Sequence, residues 1–342
     1  MTYAILANPA HSRISYGSAS RLAMSELALA GTQLTAPINN IREAAIGGVD
    51  YYLFDCPAVL GERDLRTLSR LSFTYALFRH TVTHMVPLEK DGGFFVAEDL
   101  STMLKYTGKT NELFTRFMVN LAQWYCAYDA PLRILDPLAG KGTTLFESLI
   151  QGHHAYGVEI DPKTPQETAN YLKKYLEAAR YKHEFFTRRI SGSPRYQFTL
   201  ARDRTTQKQG DVREFEIISA DTRGVSGYYK KESIHAIVAD LPYGVQHGSK
   251  AAKTARSASN SGLTRNAMAL LQEALPQWLI ALKRGGTVVL AWNRFLIPRA
   301  NMVALFTQYG LAIPAAVAAH DFAHRVDQAI ERDIIVGVKK GT

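Results

Sequence analysis

The sequence predicts a doubly wound, mainly parallel α/β sheet preceded by a smaller α+β module. From about residue 100 onward, short apolar runs alternate with segments of helical period. The residues that carry chemistry fall at the carboxyl ends of those apolar runs, where ligands of such sheets bind. The first hundred residues lack this regular alternation, so the expected division is 1–100 and 101–342, with a basic insertion over 180–215 in the second part.

Taken in order, "TYAILA" reads as a strand and "SRLAMSELALAG" as a helix stopped by Gly31. "DYYLFDCPAVL" reads as a second strand, and "ERDLRTLSRLSFTYALFRH" as a helix running into a strand. "NELFTRFMVNLAQWYCA" is an amphipathic helix, "LRILDPLAG" a strand entering a glycine turn, and "TTLFESLIQG" a helix ended by Gly152. "AYGVEID" is the next strand, and "PQETANYLKKYLEAARY" a helix with Pro165 in its first turn, where a missing N–H is harmless. After the basic insertion come the strands "FEIISAD" and "IHAIVAD", a helix around "NAMALLQEALPQWLIALK", a turn "RGG" and a strand "GTVVLAWN". "NMVALFTQYG" then reads as helix and "RDIIVGVKK" as the last strand.

The 342 residues are 46% apolar and 21% charged, enough for two domains or one large one. No apolar run approaches the roughly 18 residues that cross a bilayer, and the N-terminus lacks a signal-like pattern, so no membrane association and a cytoplasmic location are expected. Cys56 and Cys126 are too few for a disulfide framework or a CxxC metal site and are read as buried free thiols. His320 and His324 have the i, i+4 spacing of a metal pair but lack a third ligand, and no metal is expected. Forty basic residues against thirty-one acidic ones give a net charge of +9, which suits a polyanionic partner where the charge clusters. It clusters between Arg180 and Lys208, where eight Lys or Arg face two acids and alternate with aromatic residues. Arg188, Arg189 and Arg195 are the candidate RNA-binding residues there; the alternative is a solvated surface insertion.

"LDPLAGKGTTL" combines a strand end, a turn with Gly140 and Gly142, and a helix start, and Glu159 lies nineteen residues after Gly140 at the next strand end. An acid there suits a pair of ribose hydroxyls. A phosphate-binding loop is excluded, because the position five before Gly140–Lys141 is Leu135 rather than glycine. A dinucleotide fingerprint is excluded because Leu145 replaces its last glycine. Asp136 at the head of the turn would repel a pyrophosphate but suits a cationic ligand, which selects S-adenosylmethionine. The candidate cofactor contacts are Thr115, Asp136, Leu138, Ala139, Gly140, Gly142, Thr143, Thr144, Glu159, Ile160, Asp221, Thr222 and Asp240. Asp221, in "ISADTRG", is positioned to accept from the adenine amino group. The segment before the first parallel strand adds Lys105, Tyr106, Thr107 and Asn111 as candidates for closing over the methionine end.

"AIVADLPYG" delivers an acid and an aromatic ring to a strand's mouth. An amino group conjugated to a base is a poor nucleophile, and two acceptors, the Asp240 carboxylate and the Leu241 carbonyl, can hold its hydrogens and turn its lone pair outward. Pro242 fixes the backbone and Tyr243 offers a stacking face. The candidate catalytic residues are therefore Asp240, Leu241, Pro242 and Tyr243.

Together "DPLAGKGTT", "GVEID", "SADT" and "DLPYG" resemble the class I methyltransferase core of the guanine-N2 tRNA methyltransferases, the group often carrying a THUMP RNA-binding domain. The resemblance covers about residues 105 to 342. It implies a Rossmann-like methyltransferase sheet and methyl transfer to N2 of a guanine in structured RNA, with tRNA as the expected partner and no obligate protein partner. The chain departs from the group in its short N-terminal part, in Lys141, and in the basic insertion. An amino methyltransferase acting on adenine N6 in DNA or rRNA, and a non-catalytic RNA- or cofactor-binding relative, are the alternative readings.

Overall fold

A computed structural model describes residues 1–9, 18–104, 109–242 and 267–341. The N-terminal part comprises β1 (Thr2–Ala7), α1 (Ala19–Gly31), β2 (Asn39–Ile46), β3 (Val49–Asp55), α2 (Glu62–Ser69), β4 (Thr74–His80) and β5 (Met85–Leu88). The strands form an antiparallel sheet in the order β2-β3-β1-β4-β5. Tyr3, Ile5, Phe54 and Leu77 on these strands meet Ala23, Leu27 and Ala30 of α1, because alternate strand residues share one face.

The second sheet is built from β6 (Arg133–Asp136), β7 (His154–Glu159), β8 (Lys182–Ile190), β9 (Ser193–Ala201), β10 (Arg213–Ser219), β11 (Ile234–Asp240), β12 (Leu282–Asn293), β13 (Leu311–Ala312), β14 (His324–Arg325) and β15 (Glu331–Lys339). Its order is β13-β15-β12-β11-β6-β7-β10-β9-β8, with β14 beside β15. The run β12-β11-β6-β7-β10 is parallel, and β15 and β9 flank it antiparallel. Neighbours β6 and β11 are far apart in sequence, so the chain reverses direction across the sheet there. That switch point is where the carboxyl ends of the strands open a crevice.

The helices are α3 (Asp99–Thr102), α4 (Glu112–Tyr125), α5 (Thr143–Ile150), α6 (Thr164–Ala178), α7 (Arg204–Lys208), α8 (Val225–Tyr228), α9 (Ala267–Ala281), α10 (Arg299–Gln308) and α11 (Ala315–Ala318). Strand alternation sends Ala236 and Val238 of β11 toward α4, and Ile237 and Ala239 toward α9 and α10. This is the doubly wound arrangement expected from the sequence. Pro276 sits inside α9 and removes the N–H that would bond the Gln272 carbonyl, which instead accepts from the Tyr309 hydroxyl at 3.4 Å.

Helix α1 joins the two sheets. Its Leu22 and Leu29 pack into the core beside α4, opposite the face that covers the first sheet. Glu26 is buried between them and accepts from the Ser72 amide at 3.0 Å, the Ser72 hydroxyl, and Asn120 Nδ2 of α4 at 2.8 Å. Burial pushes its carboxyl up to about 7, against those hydrogen bonds.

The basic stretch carries a β-hairpin, β8–β9, that extends the sheet beyond β10. One expectation needs correction. "RGG" is a bulge within β12 rather than a turn before it. Ile234 pairs with Leu282 and Ala236 with Thr287, so Lys283–Gly286 loop out of register.

Candidate active site

Two adjoining cavities open at the carboxyl ends of β6, β7 and β11. One, of ≈ 300 Å³, is mainly apolar and includes Pro137, Leu138, Val158, Ile160, Thr222 and Pro242, with Glu159, Asp221 and Asp240 at its polar edge. The other, of ≈ 280 Å³, is polar and includes Thr110, Thr115, Asp136, Ala139, Gly140, Lys141, Thr143 and Thr144. Leu138, Glu159 and Asp240 line both. Of the residues expected from the sequence, Gly142 and Leu241 line neither cavity, and Tyr243, Lys105, Tyr106 and Thr107 lie outside the described residues.

The loop between β6 and α5 is shaped by Gly140 at φ +50° and Gly142 at φ +86°, values that side chains with a Cβ rarely adopt. The Ala139 amide bonds the Val158 carbonyl at 2.9 Å, and the Gly140 amide donates to Glu159 Oε2 at 2.8 Å, so the loop is drawn onto the end of β7. Glu159 Oε1 accepts from the Asp161 amide at 2.8 Å. A Cβ built on Gly140 would meet nothing within 4 Å, so space lies open over the loop.

Asp136 is buried at the head of the loop, and its Oδ1 accepts from the Leu138 amide at 2.9 Å. Burial pushes its carboxyl up to about 7; bonds to Thr144 and Leu138 oppose the rise, while the charges of Asp240 and Glu159 add to it. Asp221 follows β10, caps a short 3₁₀ turn and lies against Arg223, whose guanidinium bonds both its oxygens and holds its carboxyl below the usual range. Thr222 is fixed by Trp278 of α9, whose indole N–H donates to its hydroxyl at 2.9 Å. Ile160 is exposed at the rim of the apolar cavity, presenting a flat aliphatic surface there.

Asp240 ends β11. Its Oδ2 accepts from the Thr110 hydroxyl at 2.8 Å and lies 3.7 Å from Nη2 of Arg332, whose guanidinium is over the Phe114 ring. Leu241 is buried in the core and its amide bonds the Ala291 carbonyl at 2.9 Å, which locks the strand end; Pro242 follows on the cavity wall. Thr110 and Arg332 were not anticipated. Asn111 is instead the N-cap of α4, its Oδ1 accepting from the Leu113 and Phe114 amides. Thr115 is buried against the polar cavity and donates to the Asn111 carbonyl at 3.1 Å.

The three hairpin arginines do not share one environment. Arg188 and Arg189 are exposed on β8, whereas Arg195 of β9 reaches Glu216 at 3.3 Å and the Tyr228 carbonyl at 3.2 Å. His320 follows α11 and His324 lies on β14, so their spacing is not that of one helix face. Cys126 is half-buried rather than fully buried.

Residues 102–285, more than half of the chain, match the RMKL-like methyltransferase domain of the UPF0020 family. The chain belongs to this methyltransferase family. No curated protein matches it significantly. Among solved structures, this methyltransferase is similar to an rRNA methylase from Streptococcus thermophilus, at 11% identity over 68% of this chain and 99% of that one, with a TM-score of 0.37. It is also similar to magnesium protoporphyrin IX methyltransferase from Synechocystis with bound SAM, at 12% identity over 71% and 90%, with a TM-score of 0.38. A third likeness is to TYW2 of P. horikoshii in complex with MeSAdo, at 13% identity over 78% and 72%, with a TM-score of 0.36.

The methyl donor of this methyltransferase is S-adenosylmethionine, and the residues present suit it. The joint cleft has an apolar part, the open glycine loop, and four acidic side chains, Asp136, Glu159, Asp221 and Asp240, in its lining, a donor set that suits a ligand with hydroxyl hydrogens and positive charge. Among the described residues no helix is long and apolar enough to cross a membrane.

Proposed function

We propose that this methyltransferase acts on an exocyclic amino group of an RNA base, with guanine N2 of tRNA as the target favoured by its motifs. The observation that carries the reading is the position of Asp240, which lines both cavities and is followed at once by Pro242 on the wall of one of them. In this reading Asp136 meets the ammonium end of the cofactor, Glu159 the ribose hydroxyls, and the apolar slot its adenine. When bound, S-adenosylmethionine supplies an electrophilic methyl group.

The protein's own groups prepare the acceptor. Asp240 accepts the amino hydrogens and turns the nitrogen lone pair out of conjugation, which is catalysis by orientation without a covalent nucleophile. Thr110 fixes the carboxylate through Oδ2, and Arg332 sets a positive charge 3.7 Å from the same atom. The Leu241 amide bond to Ala291 holds the backbone that offers the second acceptor, the Leu241 carbonyl. The amino group sheds one proton as it is methylated, and Asp240 is its nearest acceptor in this arrangement.

The test is to incubate the protein with labelled S-adenosylmethionine and unmodified total RNA, digest the product and identify the nucleoside. N2-methylguanosine is expected. N6-methyladenosine would move the target to the other purine, and no label in the RNA would overturn the reading.

A further inference from the structure

A third cavity, of ≈ 300 Å³, lies where α2 meets the carboxyl end of α4, at the other end of that helix from the cofactor cleft. Arg63, Arg66 and Arg70 project into it from one face of α2 and its cap, at the i, i+3, i+7 spacing that lines side chains up on a helix. Trp124 and Tyr128 form the facing wall, and Asp129 is the one carboxylate among its described lining residues.

These arginines are not used by the fold in the ordinary way. Among the described residues none of Arg63, Arg66, Arg70 and Arg202 has a carboxylate within 4.0 Å. Arg70 bonds the Gly92 carbonyl at 2.5 Å and the Gly93 carbonyl at 3.2 Å, and Arg202 reaches the Gly93 carbonyl at 3.4 Å. A Cβ on Gly93 would lie 3.1 Å from Arg66 Nε, so three guanidiniums gather around one glycine loop. Burial, with the charges of Arg66, Arg202 and Arg116, lowers the Arg70 guanidinium to about 10, against the opposing charge of Asp91. Asp91 offsets part of this, but the arginines outnumber the acids around them, and an anion bridging like charges removes their mutual repulsion.

We propose that this cleft docks the phosphodiester backbone of the substrate RNA. The inference rests on the RNA reading of the active site. Helix α4 measures about 21 Å at 1.5 Å per residue, with Thr115 on the cofactor cleft near one end and Gln123 and Trp124 on the basic cleft at the other. A mononucleotide cannot reach from one to the other, whereas a folded RNA can. The Trp124 ring on the cleft wall also suits an unpaired base next to the bound phosphates, whereas Tyr128 is already stacked on His235.

The experiment measures binding of the full-length protein to unmodified tRNA over a range of salt, for the parent and for a double variant, Arg63→Gln with Arg66→Gln. Both side chains are exposed and without hydrogen-bond or ion-pair partners among the described residues, so the melting temperature should not change. Each lost phosphate contact lowers the slope of log K against log salt by roughly 0.7–0.9, so the slope should fall by about 1.5, with cofactor affinity unaltered. An unchanged slope, in a protein that still binds and methylates RNA, overturns the docking cleft and leaves the active-site reading standing. A parent that binds no RNA overturns both. In a parallel arm with inorganic phosphate, stabilisation of the parent but not the variant, together with an unchanged RNA slope, identifies a small-anion site and also overturns the proposal.

Discussion

Asp136 shows how far a single residue's surroundings decide its chemistry. Its carboxyl is pushed up to about 7 mainly by burial, while in the proposed reading it must be ionised to meet the cofactor's ammonium group. Binding must therefore release a proton below pH 7, and cofactor affinity should fall up to tenfold per pH unit on that side and level off above it. Calorimetric titration at pH 6 and pH 8 checks this, and Asp136→Asn should bind more weakly with little dependence on pH. For folding the sign is the reverse, since a carboxyl raised above its unfolded value of 3.8 favours the folded state while protonated and loses that contribution as pH rises toward 7. The acids at 136, 159, 221 and 240 were legible in the sequence because strand ends and glycine turns are local features. Thr110 and Arg332 were not, because they reach Asp240 from a loop and from β15, and only the tertiary fold brings them there.

At the level of elements, the join between α1 and α4 has a measurable consequence. Glu26→Ala would leave the Ser72 amide, the Ser72 hydroxyl and Asn120 Nδ2 without their shared acceptor, and should destabilise the protein by about 3 kcal/mol in urea unfolding. Because burial raises the Glu26 carboxyl from 4.5 to about 7, the parent should lose stability relative to Glu26→Gln as pH rises across that window, by about 3 kcal/mol at most. Unfolding at pH 5 and pH 8 decides it. The long helices and the central strands followed from apolar period, whereas the short helices α3, α7, α8 and α11 are too brief to show one. The hairpins did not: β2 is a half-exposed edge strand whose apolar residues do not alternate regularly, joined to β3 through Gly47–Gly48, both at positive φ. Ser191 and Gly192 make the same kind of turn between β8 and β9. Both two-residue turns stand in the sequence, but β8 is mostly exposed and charged, so no apolar period marks it as a strand.

Across the whole molecule, one helix links two tasks. The start of α4 borders the cofactor cleft and its end borders the basic cleft, while its flank packs on the α1 helix of the first sheet. The net charge of +9 gave a polyanion as the expected partner, but not its seat. The arginines of α2 lie in a segment of mixed charge, and their convergence with Arg202 depends on how the two sheets pack, which no local pattern encodes.

The central claim is that Asp240, at the junction of two cavities, orients an amino group for methylation. Methyl transfer from labelled S-adenosylmethionine to unmodified tRNA by Asp240→Ala, measured beside its cofactor affinity, tests this most directly. The account predicts at least a hundredfold loss of transfer, on the order of 3 kcal/mol in the barrier, with cofactor affinity within a few fold of the parent. Transfer at the parent's rate would contradict it.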